Sequence, residues 1–297
     1  MSGANLLEVR DLHLSVKGPR GARLPVLRGV DLAIERGKIL GLVGESGGGK
    51  TMVGKTILGV LPDGARVDRG SIVFDDQDLL QLAPTQRRRL LGRSLSMILQ
   101  NPMTALNPVM KIGGQITDVL TLHMGMTQAE ARDSAEGMLQ SVHIREPRRV
   151  MAQHPHELSG GMCQRVVIAI AFACKPQLIV ADEPTTALDV TVQHQILRLI
   201  RELQAQSGTT VLFVTHDLGV VAKVCDAVSV IFAGRILESG TAQEVFASPQ
   251  HRYTQALLQA APRYDMPDRA LQPISGDLHG ELLREITEAH PGATHAV

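Results

Sequence analysis

ILGLVGESGGGKT, at residues 39–51, is the stretch of sequence that decides the fold. Its first five residues are apolar and have the length of a buried strand. The remainder fits the pattern G-x-x-x-x-G-K-[ST], and a segment with helical spacing follows it. Glycines let the backbone curl so that its N–H groups point at phosphate oxygens, and a helix N-terminus adds partial positive charge. The stretch therefore predicts a strand, a phosphate-binding loop and a helix, in that order.

The loop supplies a set of candidate nucleotide-binding residues. Lys50 can reach the β- and γ-phosphates, and the hydroxyl of Thr51 can ligate Mg²⁺. The alternative is a glycine-rich turn that contains a lysine by chance, and the flanking strand and helix argue against it. The candidates are Gly44, Glu45, Ser46, Gly47, Gly48, Gly49, Lys50, Thr51 and Met52.

A second element with catalytic character is LIVADE, at residues 178–183. Four apolar residues, LIVA, followed by an acid indicate a buried strand. Ligands in α/β sheets bind at the carboxyl ends of such strands. Asp182 at the strand end is placed to bind Mg²⁺ through water, and Glu183 to polarise an attacking water. A pair of acids after an apolar run is weak evidence alone, and becomes strong beside the glycine loop.

A third element, LSGGMCQ at residues 158–164, leads into another apparent helix. A serine and two glycines before a helix form a second anion-binding arrangement. One domain does not need two phosphate cradles for one nucleotide, so the second is expected to close over a nucleotide held by another subunit. Taken alone, the motif would instead be a simple Ser-Gly-Gly helix cap.

The wider sequence predicts an α/β fold. Short strand patterns occupy residues 6–36, and residues 71–74 (SIVF) suggest an edge strand. Helical periodicity dominates from about residue 85 to 156, and buried strands alternate with helices afterwards. We expect a nucleotide-binding core with a β subdomain at 1–84 and 165–240, a helical subdomain at 85–164 and a C-terminal extension at 241–297, the last part of it loosely ordered.

Composition restricts the possible environment of the chain. It has 297 residues and 30 basic against 30 acidic side chains, which disfavours bulk binding to nucleic acid or anionic lipid. No apolar run approaches the roughly 20 residues that cross a bilayer, and no signal-peptide pattern opens the chain. Three widely spaced cysteines suggest free thiols in a reducing compartment. We therefore expect a soluble, cytoplasmic protein that serves any membrane through a partner.

Taken in order, these motifs resemble the ATP-binding subunits of ABC transporters over roughly residues 5–240. The match comprises GESGGGKT, Gln100, LSGGMCQ, LIVADEP, TALD at residues 186–189 and His216. The resemblance implies a P-loop NTPase with a RecA-like, mostly parallel sheet core, an antiparallel β subdomain and an inserted α-helical subdomain. ATP and Mg²⁺ are the implied cofactors.

The resemblance also implies roles for single residues. Gln100 would sense Mg²⁺ and the attacking water, and His216 would contact the γ-phosphate. Asp189 would lie at the dimer interface. The residues that would meet the nucleotide bound by the opposite subunit are Ser159, Gly160, Gly161 and Gln164.

Several longer stretches of the sequence resemble the peptide/nickel importer subfamily. LQNPMTALNP at 99–108, HELSGGMCQR, ADEPTTALDVTVQHQIL and the late HRYTQALLQAAP carry this likeness. It implies a second ATP-binding subunit, for which it favours a paralogue, two transmembrane permease subunits and an extracytoplasmic binding protein, with no nucleic acid. The chain would lie at the cytoplasmic face of the inner membrane. Dipeptides or oligopeptides are the expected cargo, and nickel, opines or metal chelates are alternatives.

Two departures from the family pattern stand out. No aromatic residue precedes Phe74, and Val16 occupies the neighbourhood where relatives stack an aromatic ring on adenine. Aromatic stacking is worth on the order of 1–3 kcal/mol per base, so a looser hold on the base is predicted. No cysteine follows Cys225, so no iron–sulfur cluster is expected.

Other interpretations are weaker. Cys163 could be a reactive thiol at a helix N-terminus, but a small packing residue is favoured. His154 and His156 are expected to be surface residues and not metal ligands. A soluble ABC ATPase acting on DNA or the ribosome would be expected to carry fused cassettes or a long coiled-coil insertion. A non-hydrolysing regulatory partner would be expected to lack the catalytic acid.

Overall fold

The computed structural model describes residues 5–186, 188–260 and 275–288. The chain divides into two compact units, one containing residues up to 82 and from 212 onward, the other containing residues 83–211. The predicted subdomain boundaries remain a prediction. The expectation of a loosely ordered C-terminus concerns mainly residues 261–274 and 289–297, which lie outside the described residues.

The strands and helices alternate along the chain as an α/β protein requires. The strands are β1 (Asn5–Lys17), β2 (Arg23–Glu35), β3 (Ile39–Val43), β4 (Arg66–Phe74), β5 (Gln77–Asp78), β6 (Leu95–Ile98), β7 (Leu178–Asp182), β8 (Thr210–Thr215), β9 (Ala227–Phe232) and β10 (Arg235–Thr241). The helices are α1 (Lys50–Leu58), α2 (Pro84–Leu90), α3 (Pro102–Ala105), α4 (Ile112–Met124), α5 (Gln128–Ser141), α6 (Pro147–Met151), α7 (Gly160–Phe172), α8 (Val190–Ser207), α9 (Leu218–Val224), α10 (Ala242–Ala247), α11 (Arg252–Ala260) and α12 (Gly276–Glu288). None of these described helices is both long enough and apolar enough to cross a bilayer.

The first unit begins with a four-stranded antiparallel sheet in the order β2-β1-β4-β5. Its strands have one buried face, because Val30, Leu32 and Ile34 of β2 are buried while the residues between them are exposed. Residues 71–74, predicted as an edge strand, belong to β4, which pairs with both β1 and β5. The edge prediction is therefore wrong, because β5 lies at the edge of the sheet. The sequence does not reveal β5, because two residues are too few to show an alternating pattern.

The same unit holds the strand that feeds the glycine loop. All five residues of β3 are buried, and β3 runs parallel to β9, with Leu40 opposite Ala227 and Val43 opposite Val230. Burial on both faces explains why β3 is a continuous apolar run.

The segment AVSVIFAGRILESG, at residues 227–240, carries strand signals throughout its length and forms two strands. β9 and β10 are antiparallel and are joined at Ala233 and Gly234. Both turn residues have positive φ, at 46° and 79°, which is the conformation of a type I′ hairpin turn. Alanine rarely adopts this conformation, and it therefore concealed the turn in the sequence.

The second unit combines a parallel pair of strands with a set of helices. β6 and β7 pair in register from Leu95 opposite Leu178 to Ile98 opposite Ala181. α4 and α5 pack together through apolar residues spaced about one turn apart. Those residues are Ile112, Ile116 and Leu120 in α4, and Ala131, Ala135 and Leu139 in α5. β8 begins in this unit and ends in the first.

Candidate nucleotide site

The glycine loop, residues 44–51, connects β3 to α1 in the first unit. Gly44 lies so close to β9 that a Cβ atom placed on it would come within 2.0 Å of the carbonyl oxygen of Ile231. The turn between β9 and β10 fastens the loop further, because the N–H of Gly234 donates to the carbonyl of Gly48 at 2.9 Å. A Cβ on Gly234 would also lie 2.0 Å from the carbonyl oxygen of Val26. Close backbone packing therefore holds the loop in one shape.

Lys50 begins α1 and is only 5% exposed. Its Nζ donates hydrogen bonds to the carbonyl oxygens of Gly44 and Glu45, both at 2.8 Å. A buried ammonium within a loop of glycine N–H groups is suited to a phosphate, because the anion can compensate the buried charge. The conformation of the loop is compatible with phosphate binding, which stays a prediction, and Thr51 and Met52 follow on the first turn of α1.

The strand-end acids lie in the second unit. Asp182 ends β7 and is 6% exposed, and Glu183 follows it in a left-handed conformation with φ of 46°. Such a conformation is strained for a residue other than glycine, and it is often found at functional sites. The hydroxyl of Thr51 and the carboxylate of Asp182 are hard oxygen donors, which are the ligand type that Mg²⁺ prefers.

Glu183 is oriented by two hydrogen bonds. Its Oε2 accepts one from Nε2 of Gln100 at 3.1 Å and one from the Thr186 hydroxyl at 2.8 Å. The structure therefore brings together two residues that the sequence analysis assigned to catalysis. It adds Thr186, which the sequence analysis quoted within the TALD motif but gave no role. The position of Thr186 was the available signal. A side chain three residues after Glu183 can lie beside its carboxylate when the chain makes a turn there.

The LSGGMCQ segment begins α7. Ser159 is the N-cap, with its hydroxyl accepting from the N–H of Met162 at 3.3 Å, and both Ser159 and Gly160 are exposed. Gly161 packs close to α8, where an added Cβ would lie 3.1 Å from Val192. The end of the helix is therefore open to a ligand or partner from outside the unit.

The remaining predicted residues are distributed differently. Gln164 is 1% exposed, and its amide nitrogen and oxygen have no hydrogen-bond partner among the described residues, so it lies beneath the surface that Ser159 exposes. Asp189 is exposed and caps α8 by accepting from the N–H of Val192 at 2.9 Å. His216 is exposed directly after β8.

A cavity of about 380 Å³ adjoins the glycine loop within the first unit. Val16, which the sequence analysis placed in the base-binding neighbourhood, is among its lining residues, and its contact with a base stays a prediction. Three side chains from distant parts of the chain line it as well. They are two rings, Phe232 of β9 and His279 of α12, and the apolar Leu283 of α12. The sequence analysis missed these three, because only the packing of the C-terminal region brings them near Val16.

Cys163 is a packing residue in this structure. It is buried, its Sγ donates to the carbonyl oxygen of Pro155 at 3.4 Å, and burial raises the pKa of its thiol. Burial raises the pKa of the Cys174 thiol as well, and Cys225 is also buried. Thiolates are the reactive species, so all three cysteines are expected to be inert.

We predict that a thiol reagent such as DTNB labels the native protein at least about tenfold more slowly than the urea-unfolded protein at pH 8. Val109→Cys, at a position that is 80% exposed, serves as the control for a fast-reacting thiol. Rapid labelling of Cys163 in the native protein, located by mass spectrometry, would contradict the packing role.

Two family models match the chain. Residues 27–186 match the model described as ABC transporter, and residues 237–289 match the oligopeptide/dipeptide transporter C-terminal region.

Curated relatives match over most of their length. The chain is 47% identical to the probable D,D-dipeptide transport ATP-binding protein DdpD of Escherichia coli K12, over 91% of this chain and 83% of that protein. It is 44% identical to the dipeptide transport ATP-binding protein DppD of Bacillus subtilis 168, over 91% and 81%. It is also 44% identical to the oligopeptide transport ATP-binding protein OppD of Salmonella typhimurium LT2, over 92% and 81%.

Solved structures agree in fold. The ATP-binding cassette MJ0796, in a dimeric post-hydrolysis state bound to ADP and Pi, superposes with a TM-score of 0.71 at 25% identity, covering 80% of this chain and 98% of that one. CbiO1 from Clostridium perfringens, part of the ABC transporter complex cbiONQ, gives 0.69 at 26% identity, covering 82% and 91%. The predicted α/β, P-loop NTPase fold is confirmed by these likenesses.

Proposed function

The chain belongs to the ABC transporter ATP-binding family, and from this premise we propose that it is the ATP-hydrolysing subunit of an importer of dipeptides or oligopeptides. The observation that carries the proposal is that a complete set of ATPase motifs and a peptide-transporter C-terminal region occur together in one chain. The relatives named for dipeptide and oligopeptide transport support the choice of cargo.

We assign the chemistry to residues of this chain. Lys50 and the loop N–H groups bind the phosphates, with residues 45–48 and Val16 beside them. Thr51, Asp182 and Gln100 would hold Mg²⁺, which neutralises charge on the phosphates when bound. Glu183 accepts a proton from water as the water oxygen attacks the γ-phosphorus, the bond from that phosphorus to the bridging oxygen of ADP breaks, and ADP and phosphate leave. The hydrogen bonds from Gln100 and Thr186 orient the carboxylate, and His216 contacts the γ-phosphate.

The complete site requires a second ATP-binding subunit in this proposal. The exposed Ser159 and Gly160, together with Gly161 and Asp189, would serve the nucleotide held by that partner. Gln164 is buried, so the contact predicted for it is replaced by a supporting position beneath the start of α7. Exposure of the α7 N-terminus supports this assignment, as does the dimeric state of the MJ0796 cassette. We propose a paralogue as the partner.

Permease subunits would hold the chain at the cytoplasmic face of the inner membrane and would receive substrate from an extracytoplasmic binding protein. The segment just after Gln100 supports a permease contact, because Met103 and Val109 are 45% and 80% exposed there. Exposed apolar side chains grouped near an ATPase residue are suited to a partner that responds to hydrolysis.

We predict that the chain, reconstituted in proteoliposomes with its co-encoded permeases, partner ATPase and binding protein, drives ATP-dependent accumulation of a radiolabelled dipeptide. The same vesicles are tested with nickel ions, and vesicles carrying Glu183→Gln provide the inactive control. Uptake of nickel without peptide would reject the proposed cargo, and absence of ATP hydrolysis by the wild-type assembly would reject the function.

A further inference from the structure

The cavity beside the glycine loop is closed on one side by α12, in the region that matches the peptide-transporter C-terminal model. His279 and Leu283 line it, and they lie four residues apart on one face of that helix. Val16 and residues 24–26 of the antiparallel sheet form another part of the lining, and residues 45–48 of the loop complete it. Its volume of about 380 Å³ is in the range of small-ligand pockets.

His279 is held in this position by two contacts. Its ring lies 5.0 Å from the ring of Phe232, at 85°, which is the edge-to-face arrangement that aromatic rings favour. Its Nδ1 lies 3.5 Å from Oε2 of Glu45 in the glycine loop. The side chain remains 44% exposed, so its ring is available to a ligand in the cavity.

α12 is fastened to the rest of the unit by polar and apolar contacts. Arg252 of α11 pairs with Glu281 at 3.0 Å and with Glu285. Leu282 and Ile286, on the inner face of the helix, are 2% and 5% exposed. The helix therefore has its own attachments and does not depend on His279 alone.

α11 adds a second connection to the loop. Tyr253 is fully buried, and its hydroxyl accepts a hydrogen bond from the N–H of Glu45 at 3.3 Å. Its ring packs 4.7 Å from Phe232, which in turn contacts His279. A continuous set of contacts thus joins the C-terminal region to the first residues of the phosphate loop.

Polar and apolar groups share the lining of the cavity. Arg28 lines it and donates from Nη1 to the carbonyl oxygen of Ala233. Phe232 and His279 supply rings on one side. The cavity therefore combines apolar walls and an aromatic-lined side next to the glycine loop.

We propose that His279 and Leu283 of the C-terminal helix form the wall against which the nucleobase of ATP packs, with the His279 ring supplying the contact that Val16 cannot. The proposal rests on the proposed function, because it takes the loop to bind the phosphates of ATP. It makes the peptide-transporter C-terminal region a part of the nucleotide site.

The test compares ATP with inorganic tripolyphosphate, which has the phosphates but no base. We expect His279→Ala in the full chain to weaken ATP binding, measured by calorimetry with Mg²⁺, about fivefold or more. Tripolyphosphate binding should stay at the wild-type level. His279→Phe should retain the ATP affinity of the wild type, because a phenyl ring can replace the imidazole against a base. Arg284→Ala is the matched control, because Arg284 is an exposed residue of the same helix whose Nε donates to the carbonyl of Gly280 at 3.3 Å.

Each outcome decides the matter. Unchanged or tighter ATP binding by His279→Ala would overturn the proposal, and tighter binding would indicate that the helix obstructs the cavity. Equal weakening of ATP and tripolyphosphate would also overturn it, since the effect would then pass through Glu45 and the loop. A wild-type chain that binds neither ligand would reject the proposed function itself, which separates that failure from failure of the base contact.

Discussion

Replacing Glu183 with glutamine should lower the rate of ATP hydrolysis by about 10²–10⁴-fold while ATP binding persists. Glutamine keeps the shape of the side chain and can still accept the hydrogen bonds that Gln100 and Thr186 donate to Glu183 Oε2. It cannot take a proton from water at neutral pH. The substitution therefore removes the proposed base without removing the geometry that holds it.

Steady-state phosphate release by the assembled ATPase measures the rate, and calorimetric titration with ATP measures binding. The variant is also expected to accumulate as an ATP-bound dimer, visible by size-exclusion chromatography with light scattering. Glu146→Gln is the matched control, because Glu146 is an exposed carboxylate of the same unit that pairs with Arg149 at 2.9 Å. Turnover close to that of the wild type in Glu183→Gln would reject the assignment of Glu183 as the base.

Replacing Lys50 with alanine should weaken ATP binding by about 10–150-fold, the equivalent of roughly 1.5–3 kcal/mol for a hydrogen bond to a charged group. The loss has two physical sources. The ammonium no longer meets the phosphates, and the carbonyl oxygens of Gly44 and Glu45 lose the donor that lies 2.8 Å from each in the structure. Hydrolysis should fall with binding.

Affinity is measured for ATP and for tripolyphosphate, and both should weaken, because Lys50 acts on the phosphates. This pattern differs from that expected for His279→Ala, which affects ATP alone. Lys55→Ala, on the same helix, is the control for loss of a positive charge near the loop. Wild-type affinity of Lys50→Ala for both ligands would show that the loop does not bind phosphate through its lysine.

Elements encoded by contiguous residues were predictable. The strand, loop and helix at residues 39–58 follow from a single motif, and the start of α7 follows from Ser159 and the two glycines. Helix starts elsewhere depend on the same local chemistry, as at Thr127. The Thr127 hydroxyl accepts from the N–H of Glu130, and the Glu130 carboxylate accepts from the N–H of Thr127. These features depend on residues within a few positions of each other, so the sequence displays them directly.

Features that depend on distant partners were not predictable in the same way. The hairpin at Ala233 and Gly234 has an alanine where turn chemistry favours asparagine or glycine, and it is held by contacts of Gly234 with Gly48 and Arg28 from other parts of the unit. The two-residue strand β5 exists because β4 offers it backbone partners. Tertiary contacts override the weak local signals in both places.

By itself the sequence determined the family and the ATPase activity, and it predicted the phosphate-binding and acidic residues, because each resides in a short motif whose residue types are required by the chemistry. Only the tertiary structure decided how those residues are oriented and which side chains line the cavity beside the glycine loop. The hydrogen bond between Gln100 and Glu183 joins residues 83 apart in the chain, and that between Glu45 and Tyr253 joins residues 208 apart. His279 likewise lines the same cavity as Val16 only because α12 packs beside the glycine loop. The physical reason is that motifs record local backbone and ligand chemistry, whereas a pocket wall is formed by burial of apolar faces that any part of the chain can supply.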